Sequence, residues 1–406
     1  MISCGIDTHL KIHQVEVQNE RRKVMWKGQI GNNRKGFYEL LEKLRTIERS
    51  NSDSIAGVFI NPTGTYHMPI QHFLETNGYA VYYIDARVTE SARMASNLGK
   101  VKSDNVDAHL LASAPWDNEK SMDRKPHVRD NASALTRLLE SVKKNVTRIS
   151  NMMSADLAEV FPEFLDVFQD LTSKTALAVL EKYSVPENMV KSGMDDVLNT
   201  MRKYSKNHYK KIDAERILDL AANSVGIPDD GSRAFRIREN VKRLNAELGA
   251  IKEIEARIFE ATKNNEDVKR IDDVNGIGTM HAATIVSEIG DIGQFESALK
   301  LQSYGGKVPI MKGSAGKDRA RGLSKIRNPH LSSAIHESAV SLVYHRNREF
   351  LELFQREINK GKEPTQAFVI VGRRLLYHIF TIMKNKKPYR QKLSSGKGEG
   401  ASSTGT

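Results

Sequence analysis

The sequence predicts a bipartite protein, with an α/β domain at the N-terminus followed by a longer, mostly α-helical part. Residues 2–30 alternate between apolar and polar side chains and are rich in β-branched residues, which is typical of strands. From Ser133 onward, apolar residues recur every three or four positions, the period of an amphipathic helix. The 406-residue chain is 39% hydrophobic, enough for two or three domains. We predict domains over 1–130, 131–266 and 267–390, and a disordered Gly/Ser-rich tail over 391–406.

The N-terminal domain begins with three short segments, ISCGID, IHQVEVQ and KVMWKGQI, separated by tight polar breaks. This pattern predicts three consecutive antiparallel strands. Further elements are predicted in the order helix 35–48, strand 55–60, helix 68–77, strand 79–84, helix 87–97 and helix 104–114. Three antiparallel strands followed by alternating helices and strands is the order of a ribonuclease-H-like domain.

Acidic residues stand where that order of elements would bring them together. Asp7 closes the first strand, and Asp104 and Asp107 are three residues apart at a helix start, so both project from one face. Three converging carboxylates suit Mg²⁺, which prefers hard oxygen ligands and assists phosphoryl chemistry. An N-cap role for Asp104 and a first-turn role for Asp107 are the alternative, but they do not account for Asp7.

Two apolar seams run through the middle of the chain. The first consists of Leu135, Leu139, Val142, Val146, Ile149 and Met153, and the second of Ile237, Val241, Leu244, Leu248, Ile251, Ile254 and Ile258. Their heptad-like spacing predicts coiled-coil helices. A single helix over residues 233–263 would be about 46 Å long. A helical hairpin within one chain and a contact between two protomers both fit this pattern.

The third domain contains the sequence Gly276-Ile277-Gly278 between two predicted helices. This arrangement predicts a helix-hairpin-helix element, in which backbone N–H groups of Gly276 and Gly278 can face a phosphate without side-chain obstruction. Taken alone, two glycines at this spacing are weak evidence for nucleic-acid binding.

The stretch 304–327 combines a serine with a run of cations. Glycines on both sides of Ser314 permit unusual backbone dihedrals and the close approach of a bulky partner. The cations that follow are interrupted by a single acid, Asp318, and they are Lys317, Arg319, Arg321, Lys325 and Arg327. This pattern indicates a hydroxyl presented to a phosphodiester that the cations hold. The alternative is an ordinary basic loop with a serine in a turn.

The charge balance favours a nucleic-acid partner. The net charge is +12 and the isoelectric point is near 9.5, and neutralisation of phosphates gives such a chain affinity without sequence information. No apolar run reaches the roughly 18 residues of a membrane-spanning helix, and the N-terminus is not typical of a signal peptide. Cys4 is the single cysteine, which excludes an internal disulfide and a zinc site built from thiolates. We therefore expect a cytoplasmic protein without a membrane partner.

Several segments together resemble a known family. GIDTHLKIHQVEV, PTGTY and KSDNVDAHLLA, followed downstream by VNGIGTMHAATIVSEIGDIGQFES, YGGKVP and GSAG, are similar to insertion-sequence transposases of the IS110 family, which includes the Piv-type invertases. The resemblance covers nearly the whole chain. It implies a RuvC-like domain bearing Asp-Glu-Asp-Asp joined to a transposase domain bearing a nucleophilic serine. It also implies recombination of donor and target DNA guided by a structured bridge RNA, with dimers and tetramers that form composite sites.

Matching the motifs residue by residue assigns roles to individual positions. Asp7 corresponds to the first acid of the family, Asp104 and Asp107 to the last two, and Ser314 to the nucleophile. The resemblance thus implies that Ser314 attacks the scissile phosphate and forms a phosphoserine. The acids would hold Mg²⁺, for which Mn²⁺ can substitute.

The sequence departs from the family pattern at two places. The second acid, expected before Pro-Thr-Gly, is Asn61, whose amide oxygen can ligate a metal but adds no negative charge. The residue after the serine is Ala315, with Gly316 one position later. Two alternatives therefore stay open. One is a metal-dependent, structure-specific endonuclease in which water attacks, and the other is a nucleic-acid-binding descendant whose metal site has decayed.

Overall fold

The computed structural model describes residues 1–62, 65–84, 89–90, 104–117, 131–229, 231–314, 317–323 and 327–389, and for 104, 131 and 310–321 it describes the backbone alone. The chain divides into two compact units, Met1–Val128 and Arg129–Thr406. The domain boundaries predicted at residues 130, 266 and 390 stay predictions. Most of the helix predicted over 87–97, and the tail from 391, lie outside the described residues.

The first unit is built on a five-stranded sheet with the order β3-β2-β1-β4-β5. The strands are β1 (Ile2–Asp7), β2 (Ile12–Asn19), β3 (Val24–Gly31), β4 (Ile55–Ile60) and β5 (Val81–Tyr83). Strands β1, β2 and β3 are antiparallel neighbours, whereas β4 lies parallel to β1 and β5 parallel to β4. This topology fits the predicted ribonuclease-H-like order. Strand β5 is shorter than the predicted 79–84, because only its three residues pair with β4.

Helices cover both faces of this sheet. They are α1 (Arg34–Asn51), α2 (Met68–Thr76) and α3 (Asp104–Asp117). Apolar residues of α1 and α2 share a core with Cys4 and Ile6 of β1, whereas Leu111 and Ala114 of α3 pack with Phe59 of β4. Helix α3 continues three residues beyond its predicted end at Ala114, through Pro115. The contacts of Ala114 with the sheet and an ion pair between Arg22 and Asp117 (2.6 Å) hold this last turn in place.

The backbone of α3 touches the backbone of β1 at Gly5. A Cβ atom at position 5 would stand 2.2 Å from the backbone nitrogen of Ala112 and 2.3 Å from the carbonyl oxygen of Ala108. No side chain fits in that space, so glycine at this position sets the separation of helix and sheet. Ser3, which is on the same face of β1, donates a hydrogen bond from Oγ to the Ala112 carbonyl oxygen (2.6 Å).

In the second unit the two predicted seams pack against each other within one chain. They lie on α4 (Asn131–Val160) and α10 (Ser232–Thr262). Leu139 near the start of α4 shares a core with Ile258 near the end of α10, and Met153 shares another with Val241. The two helices therefore run antiparallel, and the hairpin alternative describes this contact. The helices between them are α5 (Phe164–Val167), α6 (Lys174–Lys182), α7 (Pro186–Ser192), α8 (Met194–Ser205) and α9 (Lys211–Ala222).

The remainder of the second unit is a helical cluster that carries a two-stranded hairpin. Its helices are α11 (Glu266–Asp272), α12 (Thr279–Ile289), a 3₁₀ turn (Ile292–Gln294), α13 (Ala298–Tyr304), α14 (Pro329–Tyr344), α15 (Arg348–Asn359) and α16 (Pro364–Asn385). Strands β6 (Pro309–Ser314) and β7 (Lys317–Leu323) form the hairpin between α13 and α14. Among the described residues, no helix is long and apolar enough to cross a bilayer.

We predict that Gly5→Ala destabilises the first unit by about 2 kcal/mol, because the added methyl group overlaps the α3 backbone and neither element can yield without disturbing its packing. Both tryptophans, Trp26 and Trp116, belong to this unit, so tryptophan fluorescence during urea denaturation reports its unfolding. Gly249→Ala is the control. Its methyl group meets no atom within 4 Å, it lies in α10 of the second unit, and it should leave the fluorescence transition unchanged. An equally unchanged transition for Gly5→Ala would contradict the close contact.

Candidate active site

Asp7 lies at the end of β1 on the face that α3 covers. Successive residues of a strand point to opposite faces, and Ser3 and Gly5 of the same strand contact α3. The pairing partner of Asp7 is Gln14, whose face of β2 also carries residues that bond to α3. Asp7 is largely buried, with 8% of its surface exposed. Asp7 is therefore held in a fixed position beneath the N-terminal end of α3.

Asn61 follows β4 and occupies the corresponding position on the neighbouring strand. Because β1 and β4 are parallel, with Ile6 opposite Ile60, the residues that follow them meet at one edge of the sheet. Thr8 Oγ1 donates a hydrogen bond to the Asn61 carbonyl oxygen (3.3 Å), which ties the two strand ends together. Phe59, two residues before Asn61, packs against α3, so Asn61 belongs to the α3 face as well.

The two acids of α3 lie at its first turn. Asp107 precedes Leu111 by one helical turn and Ala114 by two, and these two residues pack on Phe59 of β4. Since α3 runs antiparallel to β1, this register places half-buried Asp107 at the same end of the sheet as Asp7 and Asn61. Asp104 is the first residue of α3, and its side chain lies outside the described residues. Among the described side chains, which do not include that of Asp104, no three His, Cys, Asp or Glu residues form a metal-holding group.

The donor atoms at this edge of the sheet fit a hard divalent cation. Asp7, Asn61 and Asp107 offer oxygen, the ligand atom that Mg²⁺ prefers. Cys4 lies on the opposite face of β1, where burial raises the pKa of its thiol and keeps it from acting as a thiolate ligand. His9, which the sequence pattern did not single out, places Nε2 3.2 Å from Oδ2 of Asp7. The residues present therefore fit magnesium better than a thiophilic metal.

A buried polar network joins β2 to α3 next to these residues. Nδ1 of His109 lies 2.6 Å from Oε1 of Glu16, and Gln18 donates from Nε2 to the same oxygen (2.7 Å). Ser113 in turn donates to Oε1 of Gln18 (3.1 Å). Burial alone would raise the pKa of Glu16, but the hydrogen bonds from His109 and Gln18 reverse this and lower it. The bond to Glu16 raises the pKa of His109.

The sequence did contain a signal for this network, namely polar residues at alternate positions of β2. Gln14, Glu16 and Gln18 are all buried, although each would ordinarily face water. A buried network whose members are hydrogen-bonded favours one register of α3 on the sheet. The network thereby supports the positions of the acids at the start of the helix.

Ser314 lies at the end of a strand and not in the loop that the sequence predicted. It is the last residue of β6, its pairing partner is Lys317 at the start of β7, and residues 315 and 316 connect the strands. The glycine-rich and cation-rich run lacks the apolar alternation of a strand, and pairing between its two halves forms the hairpin nevertheless. Because Ser314 and Lys317 form the last pair of the two strands, this serine is part of the hairpin tip.

The predicted phosphate-contacting cations follow the same hairpin. Lys317, Arg319 and Arg321 occupy alternate positions of β7, and Arg319 pairs with Lys312 of β6. Lys317 and Arg319 therefore share a face of β7, whereas Arg321 lies at the register shift between the Met311–Ala320 and Pro309–Leu323 pairs. Arg327 follows the hairpin and is exposed, whereas Lys325 lies outside the described residues.

The base of the hairpin is clamped by a buried carboxylate. Arg137 of α4 donates through Nε and Nη2 to the two oxygens of Glu288, both at 2.6 Å, and Asn328 donates to Glu288 Oε2 (2.8 Å). Asn328 also donates from Nδ2 to the Tyr304 hydroxyl (2.9 Å) and from its backbone to the Tyr304 carbonyl oxygen (2.8 Å). Burial works to raise the pKa of Glu288, and the bonds from Arg137 and Asn328 outweigh it and lower the pKa.

This clamp joins residues far apart in the chain. Tyr304 precedes the hairpin and Asn328 follows it, so their bonds close the segment at its base. Asn328 additionally caps α14, because its Oδ1 accepts a hydrogen bond from the Leu331 backbone (3.0 Å). A hairpin of two strands is marginally stable by itself, so this attachment fixes its orientation.

The predicted helix-hairpin-helix glycines lie between α11 and α12. Gly276 has a φ of +101°, and a Cβ there would stand 3.0 Å from Cα of Leu342, so backbone geometry and packing on α14 both explain this glycine. Gly278 is exposed, precedes α12, and has no atom within 4 Å of a Cβ position. Gly276 is therefore explained by its backbone conformation and packing, without a bound phosphate. Neither of these explains Gly278.

Comparison with known proteins agrees with the resemblance in both units. A DEDD transposase model of the IS110 group matches residues 4–162, and a model for transposases of the IS116/IS110/IS902 family matches residues 268–355. The IS117 mini-circle protein of Streptomyces coelicolor is 22% identical over 344 residues, which cover 82% of each chain. A transposase for the insertion sequence element IS1111A of Coxiella burnetii is 25% identical over 47% of this chain and 51% of its own.

A pilin gene-inverting protein of Moraxella bovis is also similar, with 23% identity over 55% of this chain and 69% of its own. The first family match contains Asp7, Asn61, Asp104 and Asp107, and the second contains Ser314 and the hairpin. The two family models match successive parts of the chain, and both describe transposases of the same group. The chain belongs to the IS110 family of insertion-sequence transposases.

Proposed function

We propose that this transposase cuts and rejoins DNA through a phosphoserine intermediate formed by Ser314, with Mg²⁺ held by the acids of the first unit. The observation that carries the proposal is the position of Ser314 at the tip of a hairpin whose second strand carries cations at alternate positions. A serine at such a tip can reach a DNA backbone, and the cations beside it supply phosphate contacts. The first unit would then have the RuvC-like form of the ribonuclease-H-like fold.

The residues at the sheet edge would bind the metal. Asp7, Asp104 and Asp107 would contribute carboxylate oxygens and Asn61 an amide oxygen. When bound, Mg²⁺ supplies Lewis-acid stabilisation of charge on the phosphate oxygens and on the entering and leaving oxygens. The sheet and α3 would hold these ligands in place, since Gly5 sets the distance of the helix and the Glu16–His109 pair supports its register.

In the proposed first step, Ser314 Oγ attacks the scissile phosphorus. The bond from phosphorus to one bridging DNA oxygen breaks, the serine proton leaves, and the departing oxygen is released as a hydroxyl. The DNA end then remains joined to the protein as a phosphodiester of Ser314, so the energy of the broken bond is retained. In the second step, a hydroxyl from another DNA end attacks this phosphoserine and releases Ser314. No external energy source is needed.

Guidance by a bridge RNA and assembly into dimers or tetramers rest on the family resemblance. The cation-rich hairpin supports a general affinity for nucleic acids, but it offers no side-chain pattern that predicts sequence choice. We therefore propose that pairing between RNA and DNA selects the target. Protein without RNA should then bind different DNA sequences with nearly equal affinity.

We predict that Ser314→Ala abolishes recombination and the covalent protein–DNA adduct, because it removes the attacking oxygen. Folding and DNA binding should remain intact, since the substitution removes one atom at a strand end. Adduct formation is measured by denaturing electrophoresis of labelled DNA, and binding by fluorescence anisotropy. Ser314→Cys should retain at most trace activity, because a thiolate matches hard Mg²⁺ poorly.

Two outcomes of this experiment separate the alternatives. Undiminished recombination by Ser314→Ala would remove the serine from the mechanism. Metal-dependent nicking without an adduct in the wild-type protein would instead identify an endonuclease in which water attacks.

We predict that Asn61→Glu lowers the Mg²⁺ concentration for half-maximal activity by about tenfold, which corresponds to 1.4 kcal/mol of added binding free energy. The substitution restores a negative charge at the strand end beside Asp7. Binding of Mn²⁺, followed by electron paramagnetic resonance, should tighten in parallel. Asn105→Glu, which adds the same charge at an exposed position of α3, should have a smaller effect.

The same pair of proteins tests whether the natural site has decayed. A wild-type protein inert at every Mg²⁺ and Mn²⁺ concentration, together with an active Asn61→Glu variant, would show a decayed site. Unchanged metal dependence in Asn61→Glu would exclude Asn61 from the ligand set.

We predict that replacing the β7 cations weakens binding to all DNA sequences alike. The combined substitution of Lys317, Arg319 and Arg321 by Gln should reduce the slope of log affinity against log salt by about 0.9 for each phosphate that the variant no longer neutralises. The control replaces three exposed cations of the same unit, Arg202, Lys203 and Lys206, by Gln, and should leave the slope unchanged. A changed sequence preference with the wild-type slope would argue against a phosphate-contacting role.

A further inference from the structure

A buried lysine lies at the foot of the serine hairpin. Lys307 is two residues before β6 and is 4% exposed. Its Nζ donates a hydrogen bond to the Ser332 carbonyl oxygen in the first turn of α14 (3.1 Å). Its aliphatic stem packs on α16, where a Cβ at Gly372 would stand 3.3 Å from Lys307 Cε. The ammonium group is therefore held in place by α14, by α16 and by its own backbone position two residues before β6.

The groups around this ammonium do not neutralise it. The side chain of Arg327 lies on Gly306, the neighbour of Lys307, since a Cβ at Gly306 would stand 2.2 Å from Arg327 Cδ. Within the described residues, neither cation forms an ion pair with a carboxylate. Burial and then the charge of Lys307 lower the pKa of His336 on α14, so this ring lies near the ammonium. The next residue, Glu337, is exposed and is engaged by His281 (3.1 Å) and Ser333 (2.9 Å). From α16, which packs on the Lys307 stem, the side chain of Arg373 is exposed and donates to Gln302 Oε1 (3.4 Å).

A buried ammonium without a carboxylate is costly for the folded protein. Lysine is almost never fully buried unless it is paired, because transfer from water removes the solvation of its charge. Burial, followed by the proximity of Arg327, lowers the pKa of Lys307 to about 8. At neutral pH the group is still mostly charged. The bond to Ser332 uses one of its three hydrogens, which leaves two for an acceptor.

We propose that Lys307 and Arg327 form a binding site for one phosphodiester group of a nucleic acid at the foot of the serine hairpin. The chemistry favours a phosphate, because the ammonium of Lys307 and the guanidinium of Arg327, whose side chain covers the adjacent Gly306, together match its several acceptor oxygens. The net charge of +12 and the position of the site on the stem of the cation-bearing hairpin favour a nucleic-acid strand over an acidic protein. The inference rests on the proposed function only in taking a nucleic acid as the ligand. It does not require Ser314 to be the nucleophile.

Lys307 differs from the hairpin cations in a way that an experiment can detect. An ordinary lysine titrates near 10.4, whereas Lys307 loses its proton near pH 8. Binding of an anion favours the charged form, so affinity should fall as the pH rises from 7 to 9. His336 does not interfere, because burial and then Lys307 lower its pKa below the ordinary value and keep it neutral over this range.

The test uses the full-length protein with a labelled DNA duplex and, separately, a labelled RNA strand, and follows anisotropy over a range of salt and pH. Lys307→Met should reduce the salt slope for the bound strand by about one phosphate and should abolish the decline in affinity between pH 7 and 9. Lys307→Arg should preserve affinity and also abolish the decline, because arginine stays charged. Lys300→Met, an exposed lysine of α13, is the matched control and should behave as the wild type.

The binding measurements decide whether Lys307 and Arg327 bind a phosphate and in which kind of strand. A reduced slope with DNA alone, with RNA alone or with both identifies the strand that is bound. A folded Lys307→Met variant with the wild-type slope and pH dependence would overturn the proposal. If that variant fails to fold, an undiminished pH decline in Lys307→Arg would overturn it equally. Ser314→Ala should leave all these binding measurements unchanged, so failure of the serine mechanism is distinguished from failure of this site.

Discussion

The architecture of the first unit depends on direct contact between two backbones at Gly5. Because residue 5 has no side chain, α3 lies against β1 with only 2.2 Å between the Ala112 nitrogen and the place of the missing Cβ. The strand carries Asp7 two residues further on, and the helix begins with Asp104. A single packing constraint therefore sets the distance between the parts of the candidate metal site. In a looser interface, carboxylates on separate elements would repel each other and move apart.

The polar network beside this contact supplies a second constraint. Apolar packing between a helix and a sheet tolerates sliding, because many arrangements bury similar area. The bonds of Glu16 with His109 and of Gln18 with Ser113 are directional. If the helix shifted by a turn, the buried polar groups of Glu16, Gln18 and Ser113 would lose these partners. The first unit thus combines a glycine that fixes separation with a network that fixes register, and both act on the helix that carries the acids.

In the second unit, a network of hydrogen bonds holds the hairpin of β6 and β7 in a defined direction. The hairpin has two strands, and a two-stranded hairpin is marginally stable by itself, so its orientation derives from its base. Glu288 accepts bonds from Arg137 of the long helix α4 and from Asn328 beside the hairpin, and the bonds of Asn328 to Tyr304 join the two ends of the segment. A buried carboxylate with this many donors is costly to separate from any one of them. The charge of Glu288 on α12 is thereby balanced, whereas the charge of Lys307, two residues before β6, has no carboxylate partner among the described residues.

The sequence alone determined the features that follow from local periodicity and composition. Alternation predicted the first three strands, the three- and four-residue spacing predicted the long helices, and the charge excess indicated nucleic acid. Residue types at the ends of these elements indicated four candidate site residues, namely Asp7, Asp104, Asp107 and Ser314. Each of these inferences depends on neighbours in the chain, so no contact between distant residues was needed.

Only the tertiary structure decided which distant segments meet. It paired the two apolar seams within one chain, turned the expected loop around Ser314 into a hairpin, and carried α3 past Pro115. It also joined Glu16 to His109, 93 residues away, and Arg137 to Glu288, 151 residues away. Nothing in local periodicity specifies such pairs, because their energy comes from burial and hydrogen bonding that exist only once the elements have packed. The burial of Lys307 beside Arg327 belongs to the same class, since the sequence shows both cations but not the helices that enclose the first of them.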